Sequence, residues 1–73
     1  DANTMEYTAT KQGALALADW RAKHGDEAAI AVACGTLRAA CAALITICGP
    51  REAYQYIQRQ ADDAVKPRLI SDR

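Results

Sequence analysis

The sequence contains no phenylalanine, no net charge and little that could form a strand. Nine basic residues balance nine acidic ones, so the chain has no broad electrostatic field to draw it to phosphate backbones or anionic membranes. Alternating apolar and polar residues are missing, β-branched residues are few, and alanine dominates. This composition predicts an all-α fold.

Capping residues predict a first helix over residues 8–24. Thr8 or Thr10 can supply the N-cap by accepting a hydrogen bond from a free backbone N–H. Gly25 ends this helix, because glycine adopts the left-handed conformation that a helix C-terminus often requires. Residues 1–7 are polar, and we expect them to be loose.

The next capping residues predict two further helices. Asp26 begins the second helix, over residues 26–48, as its N-cap, and Gly49 ends it. The third helix covers residues 50–65. Pro67 is expected to end it, because the residue before a proline is displaced from the α region. The remaining residues form a C-terminal tail.

The second helix is apolar nearly all the way round, since residues 28–48 carry only one charge, that of Arg38. Such a helix has to be buried on most of its circumference, and a chain of 73 residues has little material to bury it with. Short turns favour antiparallel neighbours. We therefore expect a single domain over residues 1–73, a small antiparallel three-helix bundle whose long apolar central helix packs in a homodimer.

Successive residues of a helix are rotated by about 100°, which gives the central helix two faces. The first face holds its large residues with the cysteines, and we expect it to be the core: Ile30, Leu37, Leu44, Ile45, Ile47, Cys34, Cys41 and Cys48. The opposite face holds small residues and allows close approach of another backbone. The predicted dimer or partner interface consists of Ala31, Gly35, Arg38, Ala39, Ala42 and Ala43.

Two other interpretations of the small residues stay open. They could pack against the first and third helices within one chain, or they could be exposed alanines, which tolerate water. Gly35 favours an interface, because a glycine inside a helix costs about 1 kcal/mol relative to alanine. Arg38 either extends to solvent or marks the interface rim, paired with Asp19 or Asp62. A membrane span is disfavoured, because Arg38 lies in the middle of the apolar run.

The three cysteines are an odd number without the paired spacing of a secreted disulfide scaffold, which favours a cytoplasmic location. The first 25 residues also lack the pattern of a secretory signal. At a spacing of seven residues the cysteines stand about 10.5 Å apart on a helix. This distance is too long for a disulfide within the helix or for one zinc ion bound by two of them. We expect small buried side chains, with an intermolecular disulfide or a metal shared between subunits as the alternative, and Cys48 as the most accessible thiol.

No group of residues indicates catalysis. His24, the single histidine, has the position of a C-terminal helix residue, where a cation is favoured. The adjacent carboxylates of Asp62 and Asp63 point about 100° apart on a helix and form no dyad. Phosphate loops and zinc-protease motifs are absent. We expect no enzyme activity, no cofactor and no metal.

The class of function that the sequence favours is a non-enzymatic protein–protein interaction module, such as a homodimeric bacterial or phage accessory, adaptor or inhibitor protein. The alternative is a small DNA-binding regulator that uses the third helix. Its candidate nucleic-acid face consists of Arg51, Gln55, Gln58 and Arg59. Two observations oppose this alternative. Residues 51–73 have five basic and four acidic side chains, so their charges nearly balance. The turn at Gly49 and Pro50, before the third helix, is shorter than the turn of a helix-turn-helix motif.

Overall fold

The structure, a computed structural model, describes residues 1–71 and the side chains of residues 1–68. It contains three helices: α1 (Ala2–His24), α2 (Asp26–Cys48) and α3 (Pro50–Ser71). No strand occurs among the described residues, so the prediction of an all-α fold with three helices is confirmed. By their internal contacts the residues form two units, Asp1–Leu37 and Arg38–Arg73, and the division falls within α2.

Helix α1 begins six residues earlier than predicted, at Ala2 rather than at residue 8. Asp1 is its N-cap, and a side-chain oxygen of Asp1 accepts a hydrogen bond from the backbone N–H of Thr4 at 2.9 Å. Thr10 is not a cap, because its hydroxyl donates to the carbonyl of Glu6 at 2.8 Å inside the helix. The predicted loose N-terminus is helical from Ala2, where the Asp1 side chain satisfies the free N–H of Thr4.

The turn between α1 and α2 consists of one residue, Gly25. Its N–H donates to the carbonyl of Arg21 at 2.9 Å, and its own carbonyl accepts from the N–H of Ala29 at 3.1 Å. Gly25 therefore ends one helix and takes the N-cap position of the next. Asp26, which the sequence predicted as that cap, is instead the first residue of α2.

Gly49 joins α2 to α3 in the same way. Its N–H donates to the carbonyl of Ile45 at 2.9 Å, and its carbonyl accepts from Ala53 at 3.0 Å. Both glycines have positive φ, 92° at Gly25 and 84° at Gly49. A side chain is unfavourable in that region, so each turn depends on glycine.

Helix α3 does not end before Pro67, as the sequence predicted, but continues through it to Ser71. A proline inside a helix lacks one backbone donor and crowds the carbonyl four residues earlier. The neighbouring turns keep their own donors, and the helix continues. The predicted tail is therefore helical as far as residue 71, and its last two residues lie outside the described part of the chain.

In the unit Asp1–Leu37, helix packing near the Gly25 turn uses small residues. Leu17 of α1 is half-buried, and so are four residues of α2: Ala28, Ala29, Val32 and Ala33. An open groove there is lined by both helices: Leu17, Arg21, Asp26, Ala29, Ile30 and Ala33. No residue of α1 is fully buried, so this unit has contacts but no closed core.

The unit Arg38–Arg73 is centred on Ala53, whose exposed fraction is 0%. Ala53 belongs to the first turn of α3 and donates to the Gly49 carbonyl. Half-buried residues surround this turn: Cys41, Leu44, Cys48, Gly49 and Ile57. Ala53 is the single fully buried residue among the described side chains.

We predict opposite effects for alanine at Gly25 and at Gly13. At Gly25, with φ 92° and ψ 174°, alanine should lower the free energy of unfolding by about 1–3 kcal/mol through backbone strain. Gly13 lies inside α1, where an added Cβ meets nothing within 4 Å, so alanine should raise the free energy of unfolding by about 0.5–1 kcal/mol. Denaturant unfolding followed by circular dichroism at one protein concentration measures both. A Gly25→Ala chain as stable as the wild type would contradict the argument.

Candidate interaction surface on α2

The predicted interface residues of α2 lie on the surface of the chain. All six are exposed: Ala31, Gly35, Arg38, Ala39, Ala42 and Ala43. A Cβ built at Gly35 would meet nothing within 4 Å, so no neighbour in this chain requires a glycine there. Of the small residues on this side of α2, Ala28 and Val32 are half-buried.

The face of large residues on α2 is not the closed core that the sequence predicted. Ile30, Leu37 and Ile47 are 63%, 60% and 80% exposed, and Ile45 is also exposed. Leu44 is half-buried. The prediction of a closed core is wrong for these residues: in the unit Asp1–Leu37 the half-buried residues of α2 are Ala28, Ala29, Val32 and Ala33, and the larger side chains remain in solvent.

The cysteines follow the same pattern. All three thiols are free; Cys34 is exposed, and Cys41 and Cys48 are half-buried. The expectation that Cys48 is the most accessible thiol is wrong. Its Sγ contacts the Leu44 carbonyl at 3.1 Å, while Cys34 lies one helical turn from Ala31 on an uncovered surface.

Hydroxyl groups add little polarity to the surface of α2, because they bond to their own helix. The Thr36 hydroxyl donates to the Val32 carbonyl at 2.9 Å, and the Thr46 hydroxyl donates to the Ala42 carbonyl at 3.0 Å. A threonine that bonds back in this way presents mainly its methyl group. The surface of α2 is therefore more apolar than its two threonines suggest.

The charged side chains of α2 differ in their partners. Arg21 of α1 donates from Nε to Oδ1 of Asp26 at 2.6 Å, and this hydrogen bond, with the attraction between the charges, raises the pKa of Arg21. Glu27 and Arg38 are exposed, and neither makes a side-chain hydrogen bond or ion pair within the described residues.

The sequence proposed Asp19 or Asp62 as the partner of Arg38. Asp19 instead pairs with Lys23, one turn further along α1, at 3.1 Å. Asp62 lies on α3 beside Asp63 and Lys66, where it lines a surface depression. Arg38 is left without an ion pair in the described part of the chain, although it stands in the middle of the most apolar helix.

The candidate nucleic-acid face on α3 is exposed but electrically mixed. Gln55, Gln58 and Arg59 line one depression, together with Asp62, Asp63 and Lys66. Arg51 lies in another depression, which it shares with Glu52 and Gln55. Carboxylates therefore stand among the groups that would contact a phosphate backbone, and this weakens electrostatic binding.

Sequence reasoning missed Glu27 as a candidate site residue. Glu27 carries a negative charge in the first turn of α2, where the helix dipole favours it. The available signal was its spacing from Arg38: eleven residues correspond to three helical turns, so the two lie on the same side of α2. The exposed aliphatic residues were recognised as apolar, but the sequence did not show that they are uncovered.

Among the helices that the structure describes, α2 is the one long and apolar enough to cross a membrane, judged by length and composition. None of its residues is fully buried in the chain. No group of three histidine, cysteine or acidic side chains comes together within the described residues. No family model, curated protein or solved structure matches the chain significantly.

We predict that Cys34 reacts fastest with a thiol reagent such as Ellman's reagent in protein diluted until the chain is monomeric. Its thiol is exposed, whereas Cys41 and Cys48 are half-buried, and reaction requires access as well as thiolate. The time course should show one fast phase and two slower ones. Cys34→Ser should remove the fast phase selectively. Equal rates for all three thiols, or a fast phase that survives this substitution, would contradict the exposure pattern.

We also expect the chain not to retard a generic DNA duplex at low salt, about 50 mM, where nonspecific binding is strong. The carboxylates among Gln55, Gln58 and Arg59 are the physical reason. Native gel electrophoresis or fluorescence anisotropy measures the binding of the chain to the duplex. The variant Asp62→Asn with Asp63→Asn is the matched control, since removing two negative charges should favour binding. A salt-dependent shift with the wild-type chain would instead support the DNA-binding alternative.

Proposed function

We propose that this chain is a non-enzymatic protein–protein interaction module that forms a homodimer through α2. Its role would be that of a small cytoplasmic accessory, adaptor or inhibitor protein in a bacterium or phage, with its helices arranged as an antiparallel bundle. The observation that carries the proposal is the exposure of α2. This most apolar helix has no buried residue, so contact with another molecule would remove a large apolar area from water.

The small residues of α2 favour a second helix as the covering surface. Ala31, Gly35 and Ala39 are exposed and repeat every four residues, which places them on one side of the helix. Side chains this small let two backbones approach closely, as in other small-residue helix contacts. Gly35 lowers the intrinsic stability of α2 by about 1 kcal/mol, and close approach to a partner would compensate for that loss.

A membrane is the competing cover for α2, and Arg38 argues against it. The helix contains six large aliphatic residues, Ile30, Val32, Leu37, Leu44, Ile45 and Ile47. Each contributes about −0.3 to −0.6 kcal/mol to insertion, or about −2 to −4 kcal/mol together. Arg38 near the centre opposes insertion by about 2.5–3.5 kcal/mol. The two terms nearly cancel, whereas at the rim of a protein interface Arg38 keeps its contact with water.

Sedimentation equilibrium in detergent-free buffer tests the dimer. The double variant Gly35→Leu, Ala39→Leu should weaken it, since bulky residues inserted into a close contact cost about 1–3 kcal/mol, which raises the dissociation constant about fivefold to 150-fold. Ala40→Leu is the matched control. Ala40 is exposed and is rotated by about 100° from Ala39. A wild-type monomer, or a dimer that the double variant leaves unchanged, would refute an interface on the small residues.

Flotation with lipid vesicles separates the membrane alternative from the proposal. We expect wild-type protein to stay in the aqueous fraction after mixing with neutral or anionic vesicles, because Arg38 offsets most of the insertion free energy of α2. Arg38→Leu is the informative comparison, since it removes that opposition and should increase vesicle binding. Wild-type chains that are monomeric in buffer and float with the vesicles would favour the membrane.

A further inference from the structure

We propose that the second copy packs antiparallel on α2, so that Glu27 of each copy pairs with Arg38 of the other. This inference rests on the proposed homodimer and specifies its geometry. It assigns a role to the two charged side chains of α2 that have no ion pair within the described chain, and it accounts for a positive charge in the middle of an apolar helix.

The spacing of the two charges excludes a pair within one chain. Glu27 and Arg38 are eleven residues apart, which places them on the same side of α2 and about 16 Å from each other. Both side chains are exposed. Asp26, the third charged residue of the helix, is already bound to Arg21, so Glu27 is the acid of α2 that is free to meet Arg38 of another copy.

The residues between the two charges form a symmetric row. Glu27, Ala31, Cys34 and Arg38 follow one another at spacings of four, three and four, the spacing of a seam between two helices. The order of spacings is the same from either end. A two-fold axis between Ala31 and Cys34 therefore sets Glu27 opposite Arg38 of the second copy and Ala31 opposite its Cys34. The inner residues are small and leave room for close packing.

Charge determines the direction of the second helix. In a parallel pair, Glu27 would face Glu27 and Arg38 would face Arg38, and like charges at a contact are unfavourable. In an antiparallel pair, Glu27 of one copy faces Arg38 of the other at each end of the row. The two helix dipoles are also antiparallel, which is favourable. This register centres the contact on residues 31–34. Ala42 and Ala43 then lie beyond the N-terminal end of the second α2.

Charge reversal tests the pairing. Glu27→Arg and Arg38→Glu should each raise the dissociation constant of the dimer about tenfold or more at low salt, because each creates two repulsive contacts. The double variant carries the same charges in exchanged positions and should bring the dissociation constant back to within about threefold of the wild-type value. Arg59→Glu, an exposed reversal on α3, should leave dimerisation unchanged.

The outcomes separate this inference from the proposed function. If the wild-type chain is monomeric, the homodimer and the pairing both fail. If the wild-type chain is dimeric and the single reversals do not weaken it, or the double variant does not recover, the homodimer stands and the pairing is wrong. Circular dichroism of each variant shows that α2 has kept its helicity, so that loss of the dimer is not loss of the fold.

Crosslinking tests the direction of the helices by a different readout. In the antiparallel register the two Cys34 residues are about 4.5 Å apart along the helix axis, whereas two residues at position 45 are about 38 Å apart. A chain with Cys34 as its sole cysteine should be crosslinked by a short bismaleimide. A chain whose sole cysteine is Ile45→Cys, eleven residues further on the same side, should not.

Both positions are exposed, and labelling with a monofunctional maleimide shows that both thiols react. In a parallel, in-register dimer the two positions would crosslink equally. Equal crosslinking, or crosslinking at position 45 alone, would overturn the antiparallel register, and a failure of both would place the contact on another surface. Efficient crosslinking at Cys34 alone, reduced by Arg38→Glu and recovered in the charge-exchanged double variant, is the expected result.

Discussion

The exposure of apolar side chains on α2 is the constraint on which the rest of the structure depends. The threonine hydroxyls of α2 bond to backbone carbonyls of their own helix, so the surface of the helix is largely apolar. Ile30, Leu37 and Ile47 remain more than half exposed. Large side chains of α1 and α3, among them Leu15 and Tyr54, are more than half exposed as well. Contact with another molecule would remove this apolar surface from water.

The local features of the fold were predictable because each depends on a few neighbouring residues. Gly25 and Gly49 mark the two turns by a conformation that other residues rarely adopt. The start of α1 was harder, because Asp1, Thr8 and Thr10 can all cap a helix, and the choice depends on which side chain reaches a free N–H. At Pro67 the local steric preference is real, but the helical turns on either side outweigh it.

The candidate site shows a different limit of sequence reasoning. The angular separation of small and large residues on α2 follows from helix geometry alone, and Gly35 and Ala39 of the small face are exposed in the structure. Which face the neighbouring helices cover does not follow from periodicity. That depends on where the contact residues of α1 and α3 fall along α2, and the structure shows alanines at that contact in the unit Asp1–Leu37. The large residues were therefore assigned to a core that this chain does not build.

Arg38 connects the apolar character of α2 with specificity. Apolar burial is nondirectional, so a helix made only of alanine and aliphatic residues could pair in several registers and in either direction. One basic and one acidic side chain on the same side, three turns apart, favour a single antiparallel register and oppose the parallel one. A contact that extends from this side toward Gly35 and Ala39 would leave Ile30 and Leu37 uncovered, since they lie about 80–100° around α2 from Arg38 in the opposite direction. Self-association and the binding of another protein can therefore use different sides of the same helix.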